Sequence, residues 1–171
     1  MVVTSQAVGG DDDFIELSGA TGRPNQDTLI EAQLLKGLKD HFDLDTFYSG
    51  QFEAISPLMS GKDVLLVLPT GSGKSLCYQL PAAMKDGVAL VISPLLSLIS
   101  DQVSALAKTG IGVARIDSML SRSELESQID LVKSGGAKLL YVSPERLTYP
   151  AFYDIIKGIE ISLIAVDEAH C

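Results

Sequence analysis

The sequence predicts an α/β fold, a mainly parallel sheet flanked by helices on both faces, and three observations predict it. Five short apolar runs, at 64–68, 88–93, 112–117, 138–143 and 161–167, are each bounded by turn residues. Helical stretches lie between them, at 74–84, 95–108, 122–133 and a shorter 149–157. Strands that alternate with helices make βαβ units and therefore a parallel sheet. Runs such as VLLVL and ALVIS are apolar without alternation, as strands buried on both faces should be.

The bulk properties suit one such domain. The chain has 171 residues, near the length of one domain, and 46% of them are hydrophobic, enough for a sizeable core. Cys77 and Cys171 have no metal-ligand spacing and fit a reduced, intracellular protein. No charged-then-apolar leader is apparent. The longest apolar stretch, 87–100, is too short for a membrane span and is broken by Ser93 and Pro94. No membrane role is expected, and the compartment stays open between a bacterial cytoplasm (nucleoid) and a nucleus. The net charge is −9 and the pI is near 4.5. That excludes a nucleic-acid binder working through a broad basic face. Five carboxylates against Arg23 put −4 of the charge in residues 1–28, and the remaining −5 is still acidic. Any nucleic-acid contact is expected to be a local strip, or to be shared with parts outside this sequence.

Taken in order, residues 1–27 are rich in Gly, Ser, Thr and Asp without periodicity and read as a disordered acidic leader. Residues 28–42 form the first expected helix. Thr28 and Glu31 have capping-box spacing, and Ile30, Leu34, Leu38 and Phe42, with His41, share one face. A turn at 43–46 leads to a second helix at 50–59. These N-terminal helices, 28–60, precede the α/β part, 61–171.

The first apolar run meets Pro69 and then Thr70, Gly71, Ser72, Gly73, Lys74 and Ser75 before a helical stretch. A strand, a glycine-rich turn and a helix N-terminus aim backbone N–H groups at one spot, where they hold a polyphosphate. Gly71 and Gly73 let the backbone approach closely. Lys74 would reach the β- and γ-phosphates and the Ser75 hydroxyl would sit on Mg2+. Leu68 stands where the strict pattern has glycine. Asp167 and Glu168 follow the fifth run, 93 residues beyond Lys74. An Asp there can hold Mg2+ through water, and the neighbouring Glu can orient the water that attacks the γ-phosphate. Together these residues are expected to bind and hydrolyse ATP with Mg2+. Ligand sites in parallel sheets lie beyond the carboxyl ends of the strands. A chain that stops at Cys171 stops inside such a site. The domain is therefore expected to be C-terminally truncated, with the strand at 161–167 exposing an edge or a face.

Four motifs in order resemble the first half of the motor of the RecQ-family DNA helicases, in helicase superfamily 2. They are LPTGSGKSLCYQLPA from Leu68, VISPLLSLISDQV from Val91, YVSPERL from Tyr141, and DEAHC from Asp167. The resemblance implies a RecA-like P-loop NTPase domain that couples ATP hydrolysis to 3′-to-5′ separation of DNA strands. It implies that Gln51, in FYSGQ, reads the adenine edge. The family pattern there has Arg-Pro where this chain has Tyr48 and Ser49, so a cationic contact to the base is missing. It further implies that Ser93, Pro94, Ser97, Ser143 and Arg146 lie along single-stranded or duplex DNA, positioning its phosphates without reading sequence. It gives His170 a role in coupling the nucleotide site to strand movement. The family's second RecA-like domain supplies arginines worth ~10^3 or more in rate, and neither it nor the third motif is in this sequence. The chain alone is thus expected to bind ATP weakly and not to unwind DNA. The alternatives are a non-motor ATP-binding remnant, or an RNA helicase of the same superfamily.

Overall fold

The computed structural model describes residues 1–4, 26–69 and 71–169. Six strands form one sheet in the order β2-β1-β6-β3-β5-β4. They are β1 (Val2–Thr4), β2 (Val64–Leu65), β3 (Val88–Ile92), β4 (Val113–Ile116), β5 (Leu139–Val142) and β6 (Ile161–Val166). β3, β4, β5 and β6 run parallel. The helices are α1 (Gln26–Phe42), α2 (Gln51–Met59), α3 (Leu76–Met84), α4 (Leu96–Ala107), α5 (Arg122–Lys133) and α6 (Pro150–Ile156). A 3-10 turn at Pro144–Thr148 links β5 to α6.

The non-alternating apolar runs are explained by two cores. Along β5, Leu139 and Tyr141 enter a core with α1 to α4, while Leu140 and Val142 enter one with Val132 and Phe152 on the other face. Successive strand residues point to opposite faces, so a strand covered on both sides needs apolar residues throughout. On α1, Leu34 and Leu38 are buried and Ile30 and Phe42 pack at the margin, as their spacing predicts. The Thr28 side chain lies outside the described residues. A capping box does appear at α5, where Ser121 and Glu124 bond reciprocally.

The structure corrects two expectations. Residues 1–27 are not a leader without structure throughout. Val2–Thr4 is a strand, and α1 begins at Gln26. Residues 5–25 lie outside the described residues. β1 runs antiparallel between β2 and β6, with Val3 opposite both Val64 and Ala165. Consequently β6 is no edge: β1 covers one side and β3 the other. Two apolar residues cannot reveal such a strand in sequence, because both partners lie some sixty or more residues away. The first predicted strand is also shorter than the run 64–68, since only Val64–Leu65 ladders. Leu66 N–H bonds to Met1 O, and Pro69 has no N–H to offer.

Candidate functional site

β2 and β6 are each antiparallel to β1, so they are parallel to each other and their carboxyl ends share one edge of the sheet. Two strand spacings, about 10 Å, separate them. The glycine-rich loop leaves β2 at this edge, and Asp167 leaves β6. Asp167 N–H donates to Ile92 O at the end of β3 (2.9 Å), and Ser93 N–H to Val142 O at the end of β5 (3.1 Å). From β2 across to β5, the edge therefore carries the loop, Asp167, Ser93 and Ser143 in one row.

Gly71 and Gly73 both have left-handed backbones, φ +82° and +72°. A Cβ at Gly71 would meet open space, and one at Gly73 would lie 2.7 Å from Gln51 Nε2. Among the described residues, no backbone carbonyl accepts from the N–H groups of Gly71, Gly73, Lys74 or Ser75. Lys74 Nζ folds back to Leu68 O and Pro69 O, both at 3.1 Å. Ser75 opens α3 without a side-chain cap bond, so its hydroxyl is not consumed by the helix. Thr70 lies outside the described residues.

Gln51 is buried and its amide is fully engaged. Oε1 accepts from Tyr48 N–H (2.9 Å), while Nε2 donates to Gly73 O (3.0 Å) and, longer, to Ser72 O (3.4 Å). The residue thus braces the loop from α2. Tyr48 is exposed beside it.

Asp167 is 8% exposed. Burial pushes its carboxyl above the usual range, against the pull of the Glu168 N–H (3.0 Å to Oδ1) and of the nearby Lys74 ammonium. A buried carboxylate short of counter-charge suits a cation, whose charge would offset the cost of desolvation. Glu168 has a left-handed backbone, φ +48°, an uncommon conformation for a side-chain-bearing residue and one found at functional turns. Among the described residues, no three His, Cys, Asp or Glu cluster as a metal cage. The donors here are one carboxylate and the Ser75 hydroxyl, which fit Mg2+ carried mainly by phosphates. His170 lies outside the described residues.

At the other half of the row, Ser93 is buried and its hydroxyl has no partner among the described residues. Pro94 is half-buried, and Ser97 is exposed in the first turn of α4. Ser143 is buried and its hydroxyl, like that of Ser93, has no hydrogen-bond partner among the described residues; Glu145 beside it is held below the usual carboxylate range, chiefly by its own backbone N–H. Arg146 Nη2 donates to Asp117 O at the end of β4 (2.7 Å).

One feature escapes sequence reasoning. Tyr78 and Cys77 are both fully buried on α3. Yet Tyr78 Oη lies 3.3 Å from Tyr141 Oη, and Gln79 Nε2 donates to Tyr141 Oη (3.2 Å) and Gln102 Oε1 (2.7 Å). This network ties α3, behind the glycine-rich loop, to β5 and α4, which carry the serines. Its only signal in sequence is a glutamine in an otherwise apolar helix face.

Comparison with known proteins adds the family. The sequence model of the DEAD/DEAH box helicases matches residues 48–171. The chain is 46% identical over 144 residues to the ATP-dependent DNA helicase RecQ of Bacillus subtilis, covering 84% of this chain and 24% of that protein. It is 44% identical over 140 residues to the probable ATP-dependent DNA helicase RecS of the same organism, covering 81% and 28%. It is 41% identical over 142 residues to the ATP-dependent DNA helicase Q-like 5 of Arabidopsis thaliana, covering 82% and 16%. The chain spans between 16% and 28% of the length of these relatives.

Proposed function

The chain belongs to the DEAD/DEAH box helicase family, and from that membership we propose that it is the nucleotide-binding half of an ATP-dependent DNA helicase motor. What carries the reading is the single row at the carboxyl edge: the phosphate loop and Asp167 at one end, Ser93, Ser143 and Arg146 at the other. One rigid edge then holds both a nucleotide and a strand.

The loop N–H groups and Lys74 hold the phosphates, and Lys74 exchanges its two backbone carbonyls for them. Ser75 and Asp167 hold Mg2+, which when bound supplies charge neutralisation at the phosphates. Glu168 orients the attacking water and takes its proton. Gln51 reads the adenine edge once its amide leaves Gly73 and Ser72. Occupancy of the base site thereby loosens the brace on the loop. Ser93, Pro94, Ser97, Ser143 and Arg146 position the strand, and His170 couples the two ends. A second RecA-like domain completes the motor.

The test is a chimera in which this chain replaces the matching segment of the Bacillus subtilis relative. ATP turnover stimulated more by single-stranded DNA than by RNA, and lost in Lys74→Ala, is expected. Stronger stimulation by RNA would favour the RNA-helicase reading. A folded chimera without turnover would favour an ATP-binding remnant. The isolated chain is expected to show no strand displacement.

A further inference from the structure

We propose that the exposed ring of Tyr149, backed by the Arg146 guanidinium, is a stacking platform for a base of a single-stranded nucleic acid. The inference rests on the strand-binding half of the reading above and adds a place for the bases, which the serines and Arg146 alone do not provide.

The geometry is that of an exposed aromatic residue set against a cation. The Arg146 guanidinium carbon lies 5.6 Å from the Tyr149 ring centroid, within the range of a cation–π contact. Arg146 is itself held from below by the Asp117 carbonyl. The Tyr149 backbone is tied on both sides: its N–H donates to Arg146 O (3.2 Å), and its carbonyl accepts from the N–H of Phe152 (2.9 Å), a core residue. The residue nevertheless stays 55% exposed. A side chain already ordered by a cation and a buried neighbour loses little freedom on binding.

The surroundings fit the same ligand. Tyr153 follows four residues later on α6 and is also exposed. Met119, exposed as well, donates its N–H to Asp117 Oδ1 (2.8 Å), the residue whose carbonyl holds Arg146. Tyr149 follows the end of β5, three residues beyond Arg146, whose own N–H bonds to Ser143 O (3.0 Å). Charge gives an independent reason. At a net −9, this chain gains little from general attraction to phosphates. Stacking does not depend on net charge and accepts any base.

The chain is tested with a short single-stranded oligonucleotide carrying 5-iodouracil, which photocrosslinks to stacked rings, and with an abasic oligonucleotide of equal length. Expected are a principal crosslink in the peptide containing Tyr149, affinity lowered roughly tenfold in Tyr149→Ala, and wild-type affinity in Tyr149→Phe, which keeps the ring. The abasic strand should bind more weakly and be indifferent to Tyr149→Ala, which separates stacking from any disturbance of Arg146. If Arg146→Ala weakens binding while Tyr149→Ala leaves it unchanged, strand binding stands and the platform is overturned. If the wild-type chain binds neither oligonucleotide, the strand-binding reading falls and takes this inference with it. Loss of self-association rather than of strand affinity in Tyr149→Ala would assign the patch to a protein contact and overturn the proposal.

Discussion

Val3→Ala should destabilise the chain by about 2 kcal/mol, although sequence places Val3 in a structureless leader. Val3 is fully buried and sits opposite Val64 and Ala165, joining β2, which leads into the glycine-rich loop, to β6, which leads to Asp167. Deleting two carbons costs ~1.6 kcal/mol in transfer free energy at about 0.8 kcal/mol each. The unfilled space adds several tenths more. In a chain of this size each kcal/mol moves Tm by about 2–4 °C, so a fall of about 4–8 °C is expected. Val3→Asp buries an unpaired carboxylate, costs at least ~3 kcal/mol, and should detach β1. Thermal and urea unfolding by far-ultraviolet circular dichroism reads both variants, with Met119→Ala, at an exposed position, as the control. Because β1 bridges β2 and β6, Val3→Asp should also weaken ATP binding. Wild-type midpoints for both Val3 variants would refute the central place of β1.

Two further predictions concern the loop and the helix behind it. Gly73→Ala forces a Cβ onto a left-handed backbone and to within 2.7 Å of Gln51 Nε2. It should cost about 1–2 kcal/mol in strain and lower ATP affinity, read by unfolding and by nucleotide titration; an unaltered stability would mean the loop adopts another conformation. Burial pushes the Cys77 thiol up to about 12 from an ordinary 9.0. Its raised pKa contributes stability that is complete below pH 9 and is lost as pH rises through about 12. Cys77 should therefore resist alkylation at pH 8 until urea opens the fold. Peptide mapping distinguishes it from Cys171, and rapid labelling of native Cys77 would contradict its burial.

Much of this was legible because the signals are local. Each βα alternation shows in a run of apolar residues and the turn that bounds it, and the loop from Gly71 to Ser75 shows in residues adjacent in sequence. What was not legible depends on contacts between distant segments. Val2 and Val3 are two apolar residues in a polar stretch, and only β2 and β6 make them a strand. Gln51 could be singled out, but its brace on Gly73 O depends on how α2 packs against the loop. The Tyr78–Tyr141 pair joins hydroxyls sixty-three residues apart, and no spacing announces it. Tyr149 opens the helical stretch at 149–157, and nothing in that pattern places its ring against Arg146.

The most direct measurement is titration of the chain with ATP, with and without Mg2+, in wild type and Lys74→Ala. Lys74 Nζ contacts only backbone carbonyls of its own loop among the described residues, so the variant should keep its fold and unfolding midpoint. The account predicts saturable, Mg2+-dependent binding by the wild-type chain and its loss in Lys74→Ala. Equal binding by both proteins, or binding indifferent to Mg2+, would contradict it.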